Sequence, residues 1–239
     1  MNAARLAAGR PLRLETSAGP LEDGDCLNSK EFLRRCAALP APAKLELVGG
    51  IVQIDALRDS SESAGPQRLM IDWLESYAQA TPGVGFEKSP AVLLDRESVV
   101  QPDGALRVLP EFGGRTQISE KGCLLGAPEL VAEVIFSRGI NDLRTKLAAY
   151  RLNGVQEFIA WRFHERGIEW FQMERGGYVL NLPGPNNVLS SRAFPGLVVN
   201  ATAMVAGDAA ALRNTLKARL AAPEHLAYVR RLAGRKTAA

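Results

Sequence analysis

One short run constrains this chain more than any other. Residues 130–136, LVAEVIF, are apolar on both faces except at Glu133. Such a run reads as a central strand covered on both sides. Alternation puts Val131, Glu133 and Ile135 on one face and Leu130, Ala132, Val134 and Phe136 on the other. A carboxylate in the middle of a buried strand is costly unless it is paired or binds a metal. The strand alone leaves two readings of equal weight: a buried ion pair, or a site whose chemistry needs the charge.

The segment after the run predicts a helix over about 141–152, with Gly154 as its C-terminal cap. Leu143, Lys146, Leu147 and Tyr150 recur at helical spacing, so Lys146 borders the core-facing stripe. Asp142, Lys146 and Tyr150 also stack at i, i+4 and i+8, which an ordinary surface pair with a snorkelling stem would explain. Upstream, Asp103 sits in VVQPDG, where Pro102 holds the chain extended and Gly104 permits a tight turn. Glu46 alternates with Leu45 and Leu47, as expected for a solvent-facing position on a half-buried strand.

The remaining pattern organises the chain around these residues. Residues 1–25 read as a loose leader, 26–200 as one α/β domain and 201–239 as a helical C-terminal extension. Asn28 or Ser29 caps a first helix, and residues 44–54 form a hairpin about Gly49-Gly50. The polar stretch 58–65 reads as a loop, with Pro66 in the first turn of the helix that follows. Strands are predicted at 84–88, 91–94, 105–109, 155–161, 168–173 and 178–180, and a loop over 110–126. In the extension, Asp208 caps one helix and Pro223 opens another.

Taken together, KEFLRR, LELVGGIV, VVQPDGALRV, APELVAEVIFS, DLRTKLAAYRLNGVQEFIAW and AFPGLVV resemble, in order, the Uma family of restriction endonucleases. That family is a branch of the PD-(D/E)xK nucleases. The resemblance spans about 29 to 200 and is most specific over 127–161. It implies a restriction-endonuclease-like core, a mixed β-sheet flanked by helices, that hydrolyses phosphodiester bonds with Mg²⁺ or Mn²⁺. Asp103, Glu133 and the Val134 carbonyl would ligate the ion, and Lys146 would orient water or stabilise developing charge. Glu46 would add a further contact, Asp142 would position Lys146, Tyr150 would support the wall, and Arg138 and Arg144 would meet phosphates.

Three departures are visible. The usual lysine position two residues after the Glu holds Ile135, so Lys146 on the next helix would replace it. Phe136 separates the strand from Ser137, and Gly65-Pro66-Gln67 stands where the family often has a His.

Composition narrows the alternatives. A net charge of +3 excludes a strongly basic coat protein, yet not a nuclease, whose metal supplies local positive charge. Three scattered cysteines argue against a zinc site or a disulfide framework and fit a cytoplasmic protein. No apolar run has membrane-spanning length. The expected partner is nucleic acid, DNA before RNA, and two-strand cleavage would favour a homodimer. The rivals are a catalytically inactive nuclease-fold protein that binds nucleic acid, and an oligomerising protein in which Glu133 is only an ion-pair partner.

Overall fold

The computed structural model describes residues 12–39, 44–54, 61–136 and 140–236, with the side chains of 61–63 and 140–142 excluded. Arg138, Ser137 and the Asp142 side chain therefore lie outside the described residues. The chain opens with strands β1 (Arg13–Leu14) and β2 (Leu21–Glu22), then helix α1 (Ser29–Cys36), whose N-cap Asn28 accepts a hydrogen bond from the Glu31 amide. The hairpin β3 (Leu45–Val48) and β4 (Ile51–Ile54) turns through Gly49 and Gly50, both at positive φ (59° and 80°). That geometry suits a two-residue hairpin loop and favours glycine at both positions.

Helix α2 (Ser61–Gln79) is followed by β5 (Val84–Lys88), β6 (Val92–Leu93), β7 (Val99–Val100) and β8 (Gly104–Val108). Next come β9 (Gln117–Ile118), β10 (Leu124–Leu125) and β11 (Leu130–Ile135), then helix α3 (Ile140–Asn153). Strands β12 (Glu157–Arg162), β13 (Gly167–Glu174), β14 (Gly177–Leu180), β15 (Val188–Ser190) and β16 (Val198–Asn200) lead into helices α4 (Ala201–Ala206), α5 (Ala209–Leu220) and α6 (Pro223–Ala233).

The main sheet runs β14-β13-β12-β11-β8-β5 and a second sheet runs β4-β3-β7-β6-β10-β9. In the main sheet only β11 and β12 pair in parallel, and α3 supplies the crossover that parallel neighbours require. The two faces of β11 separate as its alternation predicts. Leu130, Ala132 and Val134 enter one core with α2, α5 and α6, while Val131 and Ile135 enter another with Leu143 and Tyr150 of α3. Strand β3 makes the same division: Leu45 and Leu47 pack toward α1, whereas Val48 joins the core beneath α3. Its other face, which carries Glu46, therefore turns toward α3.

Several expectations are corrected. Residues 12–25 are not a loose leader: β1 pairs with β2, and Leu21 is wholly buried in the core around Phe32 and Val52. Leu21, with Leu14 packed against the same core, anchors a segment whose sequence shows no periodicity. Helix α2 begins at Ser61, so 61–65 are helical and Pro66 lies inside the helix rather than in its first turn, while 58–60 lie outside the described residues. Gly104 makes no turn. It starts β8 opposite Ala132, and a Cβ there would lie 2.9 Å from Leu74 Cδ1, so close packing of α2 explains the glycine. The 110–126 segment contains β9 and β10, too short to leave a periodic signal.

The C-terminal helices dock firmly. Asp208 caps α5 by accepting from the Ala211 amide, and Pro223 occupies the first turn of α6. Leu212, Leu216, Tyr228 and Leu232 are buried in the core that contains α2. Gly196 lets His225 of α6 approach closely, since a Cβ there would stand 2.8 Å from the histidine Cβ. Among the described residues, no helix is long and apolar enough to cross a membrane.

The seating of the N-terminal hairpin is testable. Leu21→Ala is expected to cost about 2–5 kcal/mol in urea denaturation, the range for a buried leucine. An unchanged midpoint would show that the segment contributes nothing to the fold.

Candidate active site

The sheet geometry brings four charged residues, distant in sequence, into one buried region. Asp103, Glu46, Glu133 and Lys146 are 3%, 4%, 2% and 5% exposed. Lys146 Nζ lies 2.5 Å from Glu133 Oε2 and 2.8 Å from Glu46 Oε2, so one ammonium bridges two carboxylates. One helical turn further on, the Tyr150 hydroxyl donates to Glu133 Oε1 at 2.6 Å. The i, i+4 stack on α3 thus aims both Lys146 and Tyr150 at the face of β11 that carries Glu133.

The segment between β7 and β8 fastens the other two acids. The Gln101 amide donates to Glu46 Oε1 at 2.8 Å. Asp103 donates its own amide to the Ala132 carbonyl at 3.0 Å, and its Oδ2 accepts the Val134 amide at 2.7 Å. Residues 101–103 therefore stitch β3 to β11, and Pro102 keeps the intervening backbone extended. Asp103 stands next to the register position of Glu133, because Gly104 pairs with Ala132.

Glu46 is the clearest departure from the sequence expectation. It does not face solvent; its strand is buried at all four positions, and its face meets α3. Alternation alone could not tell solvent from a second layer. Tyr150, expected only to support the wall, is a direct hydrogen-bond donor to Glu133. Glu157 was not singled out, although it is 1% exposed. It accepts from Trp170, Gln172, Ser191 and the amides of Arg192 and Ala193, pinning the 191–193 turn to β12. It works as a structural buttress, since those donors satisfy it. Arg144 is exposed on α3.

Among the described residues, Glu46 and Glu133 share the ammonium of Lys146. Burial pushes the Glu46 carboxyl above the ordinary carboxylate range, with Lys146 pulling it down and Glu133 adding to the rise. Burial also raises the Tyr150 phenol well above its ordinary value, and Glu133 and Glu46 push the same way. Tyr150 thus stays protonated and keeps donating.

The donor set fits a hard divalent cation. It consists of buried carboxylate oxygens, those of Asp103, Glu133 and Glu46. Among the described residues, no three Asp, Glu, His or Cys side chains form a ready-made metal cluster. Mg²⁺ does not need one: it is commonly held by one or two carboxylates and keeps several waters. Glu133 retains acceptor capacity, because a carboxylate offers about four lone-pair sites.

The architecture is an α/β fold in which mixed sheets are flanked by helices. A solved structure supports the fold: a "putative nuclease belonging to DUF820" from Anabaena variabilis superposes with a TM-score of 0.58 at 12% identity, covering 75% of this chain and 99% of that one. The sequence matches the family model "Uma2: Putative restriction endonuclease" over residues 29–203, and the chain belongs to that family. No curated protein matches it.

Two substitutions test the cluster as a unit. Lys146→Met removes only the charge between two buried carboxylates and is expected to cost about 3–5 kcal/mol, as for one partner of a buried pair. Tyr150→Phe is expected to cost about 1.5–3 kcal/mol, as for a hydrogen bond to a charged group. Urea titrations of both variants check this. A loss below about 1 kcal/mol for Lys146→Met would show that the acids do not depend on the ammonium.

Proposed function

We propose that this chain is a metal-dependent endonuclease that hydrolyses phosphodiester bonds, with DNA as its expected substrate. The observation that carries the reading is the ammonium of Lys146 held against Glu133 and Glu46, beside Asp103, in a family of nuclease type. A purely structural ion pair needs one carboxylate per lysine. Two buried carboxylates converging on one ammonium, in a chain of this family, are suited to sharing a hard cation as well.

Asp103 and Glu133, with the Val134 carbonyl, would hold Mg²⁺ or Mn²⁺. A bound ion of this kind lowers the pKa of a coordinated water and polarises a phosphoryl oxygen. The chain's own residues do the rest. The Val134 amide fixes the Asp103 carboxylate, and Tyr150 fixes Glu133, so neither acid has to reorient. Lys146 presents donors that orient a water or meet charge developing on the phosphate. Glu46 and Glu133 both engage the Lys146 ammonium. Glu46 keeps that ammonium directed at the acid pair.

The test is cleavage of plasmid DNA with Mg²⁺ or Mn²⁺. Asp103→Asn keeps an oxygen to accept the Val134 amide but removes the charge, and Glu133→Gln does the same beside Tyr150. Both are expected to lower cleavage by about 100-fold or more, the scale for losing one electrostatic contact at a reacting centre. Circular dichroism confirms that the variants remain folded. Full cleavage by either folded variant rejects the assignment; DNA binding without metal-dependent cleavage by the wild type favours an inactive relative. Addition of Mg²⁺ to the metal-free wild type is expected to raise its melting temperature, because a ligand bound only by the native state stabilises it.

A further inference from the structure

The charge of this chain is strongly segregated. Residues 209–239 contain seven Lys or Arg and one acid, Glu224, for a net +6. The other 208 residues hold 22 basic and 25 acidic side chains, a net −3. The family match ends at residue 203, before this segment begins.

The structure shows how those charges are displayed. Arg213, Lys217 and Arg219 of α5, Arg230 and Arg231 of α6, and Arg235 and Lys236 just beyond it are all exposed. None of them forms a salt bridge among the described residues. The helices beneath are rigidly seated: Leu212, Leu216 and Leu232 are 2%, 3% and 0% exposed. Within α6, Arg231 lies 5.1 Å over the Tyr228 ring, and Lys236 lies 5.7 Å over Phe112 of the body. These are exposed cations, without salt-bridge partners among the described residues, on helices docked to the body.

We infer that α5 and α6 form a nucleic-acid backbone-binding surface, appended to a body that is otherwise net negative. It rests on the nuclease reading only for the choice of polyanion. A body of net −3 repels DNA at long range, and the added +6 reverses the sign of the whole molecule. Phosphate contacts by Lys and Arg supply most sequence-independent affinity. A membrane surface fits less well. Helices that lie on membranes insert an apolar face, whereas the apolar stripe here is spent on the core, leaving only Leu226 as a large exposed hydrophobic on α5 and α6.

The experiment measures binding of a short mixed-sequence duplex by fluorescence anisotropy in EDTA, which prevents cleavage, across about 50–200 mM NaCl. Each phosphate neutralised contributes about 0.9 to the slope of log K against log salt. The variant R213Q/K217Q/R219Q/R230Q, confirmed folded by circular dichroism, is expected to lower that slope by two or more. A smaller fall, or none, overturns the inference. So does wild-type binding to phosphatidylserine–phosphatidylcholine vesicles without binding to the duplex. The two proposals fail separately. A lowered slope in a protein that never cleaves sinks the nuclease and spares the surface; metal-dependent cleavage with an unchanged slope does the reverse.

Discussion

The structure turns on one ammonium. Lys146 sits between Glu133 of the central strand and Glu46 of the second sheet, and both contacts are buried. Taking charges out of water costs several kcal/mol each, and attraction repays that only with good geometry and further hydrogen bonds. Those further bonds are present: Tyr150 on Glu133, the Gln101 amide on Glu46 and the Val134 amide on Asp103. The arrangement couples α3, the main sheet and the second sheet through a single side chain. It also sets two buried carboxylates on one ammonium, and that arrangement connects the fold to the proposed chemistry.

The support around the cluster follows from how each strand spends its two faces. Strand β11 gives Leu130, Ala132 and Val134 to the core under α2 and keeps its acid for the side under α3. Strand β3 gives Leu45 and Leu47 to the α1 side, which leaves Glu46 to meet the same helix. Residues 101–103 cross between them with their amides and one carboxylate engaged. On the opposite face, the helical extension closes the larger core, and Gly196 admits His225 against it. The polar side and the packing side of the sheet are thus held by different elements, so the site can be charged without disturbing the main core.

Much of this was legible in the sequence, for identifiable reasons. The 130–136 run announced a central strand because nearly every residue is apolar, and α3 was marked by its i, i+4 stack and by Gly154. Asp208, Pro223 and the Gly49-Gly50 turn carry local chemistry that fixes them wherever they occur. Other features depend on contacts that no local pattern encodes. Glu46 looked solvent-facing because alternation tells one face from the other, not what covers it. Leu21 gave no periodic signal, yet tertiary burial seats the segment around it. Pro-Asp-Gly suggested a turn, but the glycine serves the approach of Leu74. Two-residue strands such as β9 and β10 are too short for any periodicity to register.

The position of the lysine has a geometric reason. On a strand, the residue two places after Glu133 shares its face, and that residue is Ile135, which is buried in the core beneath α3. A lysine there would place its ammonium on the same side of the sheet as Glu133. Helix α3 packs over that face, so a side chain from its second turn reaches the same point from above. Lys146 does so, and its contact with Glu133 Oε2 at 2.5 Å shows the reach is complete. Moving the charge to the helix frees position 135 for an apolar side chain and brings the ammonium within range of Glu46, which lies on the other sheet. What matters to such a site is where the charge arrives, and either element can deliver it.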